Sequence, residues 1–272
     1  MDLITREDEE TAVKVNIAKM TKDLKAATLT LSDDEARFLV DAYYIIQEDR
    51  KRSFNQTRSM DVEPNAVLVW FAENNRILEN QIKRSLDTYS ASKPAGEWAR
   101  SIKGIGPVIA AGLLAHIDIE QAPTVGHIWR YAGLDPSMKW EKGQKRPWNA
   151  SLKVLCWKIG ESFCKFSTGD NPSPYGVHYR QQKAKYVAKN DAGGFAERAA
   201  KILTEKNYGK TTEAYGHYSS GKLPPAQIDM MAKRWATKLF LAHLHEFWYE
   251  SHFKRPAPYP YPIAILGHAH KI

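Results

Sequence analysis

"SIKGIGPVIAAGLLAHIDI", residues 101–119, decides how this chain is read. A short segment ends at Lys103, two glycines bracket Ile105, and Pro107 opens an apolar run. Glycine at 104 and 106 lets the backbone turn tightly and sit against another surface with no Cβ between. Ile105 pins the turn into a core. Pro107 stands at a first helical position, where its missing N–H costs nothing. The pattern predicts a brief helix over 98–102 and a partner over 107–115. The second helix starts with amides that have no partner inside it, Val108 among them, and the positive end of its dipole stands behind them. Such a start suits an anion, a phosphate or a sulfate, and reads no base. No GxxxxGK[ST] run is present, so this is not a nucleotide phosphate loop.

Working outward, every segment reads as helix or loop. Upstream, Ser32 with Glu35 makes a capping box. It opens a helix marked by Phe38, Tyr43, Ile46 and Phe54. Pro64 opens another, with Val67, Leu68, Phe71, Ile77, Leu78, Ile82 and Leu86 on its buried face. "TYSASKPAG", 88–96, reads as a linker or sharp loop and marks the main boundary. Downstream, Thr124 caps a third short helix. A loop over 133–143 follows, and Asn149 or Ser151 starts a helix striped by Leu152, Leu155, Cys156, Ile159 and Phe163. "STGDNPSP" breaks the chain before a basic helix, and Pro224 and Pro225 precede a last long one. No strand ladder and no internal repeat is visible. The expectation is an all-α, mainly helical fold. Its divisions are a polar arm (1–31), an N-terminal helical region (32–94), a hairpin-containing helical domain (95–255) and an extended proline-rich tail (256–272).

The 272 residues are 43% hydrophobic, enough for a core without staples. Two cysteines make no disulfide framework and read as reduced thiols. No run of about 18 apolar residues argues for a membrane span. The start has neither a basic lead nor an apolar stretch, so no signal peptide is expected. The net charge of +8 is unevenly spread: residues 1–50 hold 7 Lys+Arg against 12 Asp+Glu, and residues 139–190 hold 11 against 3. Concentrated positive charge favours a polyanionic partner.

Within the basic stretch, Lys139, Lys142, Lys145 and Arg146 share a loop with Trp140 and Trp148. Such cations neutralise phosphates, and indoles stack on bases. Arg180 and Lys183 extend the track on one face of the next helix, with Lys185 off it. The alternative for all of them is a solvated basic loop with its tryptophans packed inward. Catalytic candidates are weak. Metal-dependent hydrolysis wants converging carboxylates, and Asp118, Glu120, Asp135 and Glu141 follow the hairpin without a nuclease spacing. The histidines near the C-terminus lack a cysteine pair of ligand spacing, so no metal site is assigned.

The Gly104-Ile105-Gly106 turn, with Ala110 and Leu114 behind it, resembles the helix-hairpin-helix of DNA repair and recombination proteins. In that family the element grips duplex phosphates across the minor groove without sequence preference. The resemblance widens with Tyr131-Ala132-Gly133-Leu134-Asp135-Pro136 and the lysine-rich loop after it. From about 100 to 190 the chain is similar to the C-terminal domain of IS110/IS116-family transposases. That family places a RuvC-like domain with four acidic residues before this region, uses a serine of the C-terminal domain for strand exchange, and chooses targets with an RNA guide. Here the N-terminal half reads as helices instead, and the loop at 139–143 has no serine; Ser137 and Ser151 flank it.

The leading expectation is therefore a DNA-binding protein that holds the phosphate backbone largely without sequence specificity, using Lys103, Gly104, Ile105, Gly106, Val108 and the basic track. RNA is a second admissible partner. Two other classes stay open: a recombinase or nuclease, which would bring Mg2+ as cofactor, and a non-enzymatic helical assembly protein. Binding alone needs no cofactor. A single hairpin grips weakly, which points to a homodimer through the long N-terminal helices. The expected setting is the cytoplasm or nucleoid of a bacterial or phage-infected cell, with a mobile-element or phage source.

Overall fold

The computed structural model describes residues 20–60 and 62–259; these are helical, with no strand among them. In chain order, α1 (Lys22–Ala27) and a 3-10 turn (Thr28–Thr30) lead into two long helices, α2 (Asp33–Arg58) and α3 (Ala66–Ala91). The hairpin is α4 (Pro94–Ser101) and α5 (Pro107–His116). There follow α6 (Val125–Tyr131), α7 (Ala150–Lys165), α8 (Pro174–Asp191), α9 (Ala196–Glu205), α10 (Glu213–Ser219) and α11 (Pro225–Phe253).

The helix starts follow from capping chemistry. The Ser32 N–H donates to Glu35 Oε2 at 2.8 Å, and the Glu35 N–H donates to Ser32 Oγ at 3.3 Å. This closes the capping box that begins α2. Asn149, not Ser151, caps α7: its Oδ1 accepts the Leu152 N–H at 2.8 Å. Asn65 does the same for α3, accepting from the Val67 N–H at 2.9 Å, so Pro64 stands just outside that helix.

The centre of the fold is α5. Ala110, Ala111, Leu113, Leu114 and Ala115 are all buried, and α2, α3, α4 and α7 close around them. Small residues make this crowding possible. A Cβ on Gly112 would lie 2.8 Å from Leu155 Cδ2, so α5 and α7 touch where a side chain would hold them apart. Behind, α11 packs along α4, α6, α7 and α8. Phe240 of α11 stacks with Trp98 and meets Phe163 and Tyr175 edge-on. A smaller cluster of Ala199, Tyr218, Leu223 and Ile228 joins α9 and α10 to the start of α11.

Several local expectations change. The segment at 88–96 is a sharp turn and no linker: α3 continues to Ala91, α4 begins at Pro94, and Ser92 and Lys93 alone separate them. One hydrophobic core holds Val40 and Leu86 together with Leu114, Ile159 and Phe240, on both sides of that junction. The buried face of α2 is Ala36, Val40 and Tyr43, whereas Phe38 is 71% exposed. On α3, Ile82 and Leu86 are buried as expected, but Val67, Phe71 and Leu78 are exposed. Helical spacing alone favoured the larger side chains. Close approach to α5 instead selects the neighbouring stripe, which on α2 begins with the small Ala36. Of the polar arm, residues 20–31 are described and carry α1; the rest of it, and the tail from residue 260, lie outside the described residues. No described helix is long and apolar enough to cross a membrane.

Candidate nucleic-acid interface

The turn between α4 and α5 is fixed from one side and bare on the other. Gly104 has φ +104°, a conformation open to glycine and strained for other residues. The Ile105 N–H donates to Ile102 O at 2.9 Å, and the Ile105 side chain is buried, pinning the turn from below. Ser162 Oγ of α7 donates to Gly104 O at 2.6 Å. A Cβ at 104 would meet that same Oγ at 3.1 Å and the Phe166 ring at 3.4 Å. Gly106 differs: its φ is −91°, and a Cβ there would meet nothing within 4 Å. With Pro107 next and no side chain capping α5, the helix start is uncovered at Gly106. The Val108 side chain is buried, so its share in any contact is limited to its backbone amide. Lys103 Nζ bonds the Asn171 carbonyl and lies 5.9 Å from the Phe166 ring centre, folded over the turn's flank.

The basic loop stands at the other end of α7. Lys139, Lys142, Lys145 and Arg146 are exposed, and none is ion-paired among the described residues. The two tryptophans separate in role. Trp140 is 41% exposed; its Nε1–H donates to Gln144 O at 2.7 Å, and the Arg146 guanidinium lies 5.2 Å from its ring centre. Trp148 is packed: a Cβ on Gly133 would lie 2.8 Å from its ring, and the Lys153 ammonium covers it at 3.9 Å. From Lys153 to Ser162, which touches the turn, the axial rise along α7 is about 14 Å.

Two further expected contacts diverge. Arg180 is exposed, with Nη1 3.5 Å from the carbonyl of Ser167. Lys183 is committed elsewhere, to Asp229 at 2.6 Å. Asp229 also binds Lys233 at 2.8 Å and accepts from Tyr179 Oη at 2.5 Å. Burial opposes its charge, but hydrogen bonds from Lys183, Lys233 and Tyr179 prevail and bring its pKa down to about 2. This is an ion-pair network joining α8 to α11.

Three cations were not found from sequence: Lys153, Arg234 and Lys238. Lys238 Nζ lies 4.1 Å from the Trp129 ring centre, and the indole N–H donates to Lys238 O at 3.2 Å. Burial lowers the pKa of Lys153, and repulsion from Arg234 and Arg146 lowers it further. Lys238 is lowered by burial and by Arg234, with Asp135 opposing. These residues come from α7 and α11, so no local motif could announce them.

The catalytic candidates do not assemble. Asp118 accepts from the Glu120 N–H at 2.9 Å and from Gln121 Nε2 at 2.8 Å, and Glu120 lies 3.3 Å from His252. Both line a cavity of about 790 Å³ at the far end of α5. Asp135 instead accepts the Ser137 N–H and Oγ, at 2.9 and 2.7 Å. Those bonds hold its carboxyl below the usual range. Glu141 accepts from Gln144 at 3.3 Å, and Ser151 is exposed on the first turn of α7. Among the described residues no three of His, Cys, Asp or Glu are grouped to hold a metal. His245 Nε2 lies 2.8 Å from Ala122 O, and His243 Nδ1 lies 2.7 Å from Tyr175 Oη; both serve packing.

Fold and site together define an all-helical protein with an uncovered glycine turn and an unpaired basic loop. Residues 97–146, from α4 into that loop, match the transposase IS116/IS110/IS902 family. No curated protein and no solved structure matches the chain. The sheet that a RuvC-like domain requires has no counterpart among the described residues.

Proposed function

We propose that this chain binds DNA through its phosphate backbone, largely without sequence preference. The observation that carries the reading is the turn at Gly104–Gly106. It is held rigidly by Ser162 from behind and is open in front, at the positive end of α5. A phosphate oxygen can approach the backbone there as it could approach no residue with a Cβ. The exposed Lys139, Lys142, Lys145 and Arg146 supply the electrostatic share, and the likeness of residues 97–146 to transposases agrees with it. The reading includes a homodimer that buries the exposed Val67, Phe71 and Leu78 of α3 and doubles a weak grip.

The test is binding to labelled duplex, single-stranded and four-way-junction DNA at roughly 50 and 200 mM salt, with and without magnesium. Four neutralised phosphates predict a loss of about 100-fold over that range. Affinity indifferent to salt, or no complex at the lower salt, refutes the proposal. Cleaved product in the magnesium lanes would move the assignment to a nuclease.

A further inference from the structure

The cations gathered around the C-terminal end of α6 are a site in their own right. Lys153 lies on Trp148, Lys238 on Trp129 and Arg146 against Trp140. Arg234 precedes Lys238 by one helical turn and shares its face of α11. It is exposed, and it acts electrostatically on both lysines. Each lysine is thus held in place by an indole rather than by a carboxylate. Asp135, held ionised by Ser137, faces Lys238 and Arg130 from the loop after α6 and offsets part of the charge. The α6 carbonyl end offsets another part. Positive charge still dominates, and it is partly withdrawn from water.

The indoles attract each cation, but like charges gathered this closely repel one another, and an anion among them relieves that repulsion. We propose that Arg146, Lys153, Arg234 and Lys238 form a second phosphate-binding site, at the opposite end of α7 from the glycine turn. This rests on the nucleic-acid reading and deepens it: the strand is held at two stations separated by about 14 Å of rise along the α7 axis and lying at opposite edges of that helix's exposed face. Between them α7 exposes Val154 and Trp157, an apolar surface over which bases or sugars can lie. The ligand chemistry is a phosphate group, whether a backbone phosphodiester or free inorganic phosphate.

The experiment has two arms. In the first, thermal unfolding is followed in sodium phosphate and in sodium chloride at matched ionic strength. The full chain is expected to melt higher in phosphate. The Lys153→Met/Arg234→Gln double variant, which keeps the packing on Trp148, loses that difference, and Lys142→Gln, on the exposed loop, keeps it. In the second arm, an unphosphorylated duplex is titrated across salt. The double variant, which empties a one-phosphate site, should lower the slope of log K against log salt by about 1; Lys142→Gln should lower it by about as much while keeping the phosphate-dependent melting. A phosphate-dependent melting difference without duplex binding overturns the nucleic-acid reading and keeps the phosphate site. Duplex binding with an unchanged slope and no phosphate-dependent melting in the full chain overturns the site and keeps the nucleic-acid reading. Melting differences equal in the full chain and the double variant also overturn the site.

Discussion

Alanine at Gly104 and alanine at Gly106 should have opposite consequences, although the two glycines are two residues apart. At Gly104 the backbone φ of +104° is one that side chains rarely adopt, which costs about 1–3 kcal/mol. The new methyl would stand 3.1 Å from Ser162 Oγ and press on Phe166, loosening a 2.6 Å hydrogen bond to Gly104 O that contributes about 1 kcal/mol. Together these predict a loss of roughly 2–4 kcal/mol, a fall in Tm on the order of 4–12 °C for a chain of this size. At Gly106 the φ is −91° and the methyl enters open space. Stability there should be unchanged or higher by about 0.5 kcal/mol, because alanine restricts the unfolded chain. The same methyl occupies the approach to the α5 helix start, so Gly106→Ala should weaken DNA binding while folding normally. Urea unfolding followed by tryptophan fluorescence, beside DNA titration, reads both effects. If Gly106→Ala unfolds as readily as Gly104→Ala, or binds DNA as the parent does, the division of the turn into an anchored and an open glycine is wrong.

Ser162→Ala should lower stability by about 1 kcal/mol, and less in a Gly104→Ala background, because the two share one contact; a double-mutant cycle in urea measures the difference. Asp229 has its pKa depressed to about 2, so its stabilisation is present above the unfolded carboxylate value and is lost as pH falls from about 4 to about 2. That amounts to about 2 kcal/mol at neutral pH, and Asp229→Asn should flatten this part of the stability–pH curve. Lys145→Ala should leave Tm unchanged and reduce the salt slope of DNA binding by about 1. Lys183→Ala should instead lower Tm with little effect on that slope, because its charge is spent on Asp229.

The parts of the fold legible in the sequence were those with local causes. The Ser32–Glu35 box, the Gly-Ile-Gly turn and the helices opened by Pro107 and Pro225 each announce themselves within a few residues and stand where expected, whereas Pro64 falls just outside its helix. Helix faces were read less well. Phe38 and Val67 fall on helical stripes, but the residues that join the core around α5 are Ala36, Val40, Ile82 and Leu86, a choice that depends on how closely helices approach. The candidate site divides the same way. The basic loop was visible as a run of charge, whereas Lys153, Arg234 and Lys238 become neighbours only when α7, α6 and α11 pack. Lys183 shows a partner that spacing could not announce: its place beside Arg180 suggested one surface, and the structure pairs it with Asp229 from another helix. Trp148 looked equivalent to Trp140 until Gly133 placed a backbone against its ring.

The two cysteines of α7 carry a practical consequence. Cys164 is half-buried, with its Sγ 3.4 Å from Tyr179 Oη, while Cys156 is sealed between α7 and α11, its thiol pushed up to about 12 by burial. A thiol reagent in excess should therefore modify Cys164 quickly and Cys156 only when α7 lifts from α11. In a Cys164→Ser chain the labelling rate becomes a direct reading of how often the core beneath both phosphate stations opens. Because α7 joins those stations, a bound strand that spans them should slow that reaction, and a ligand held at the glycine turn alone should slow it less.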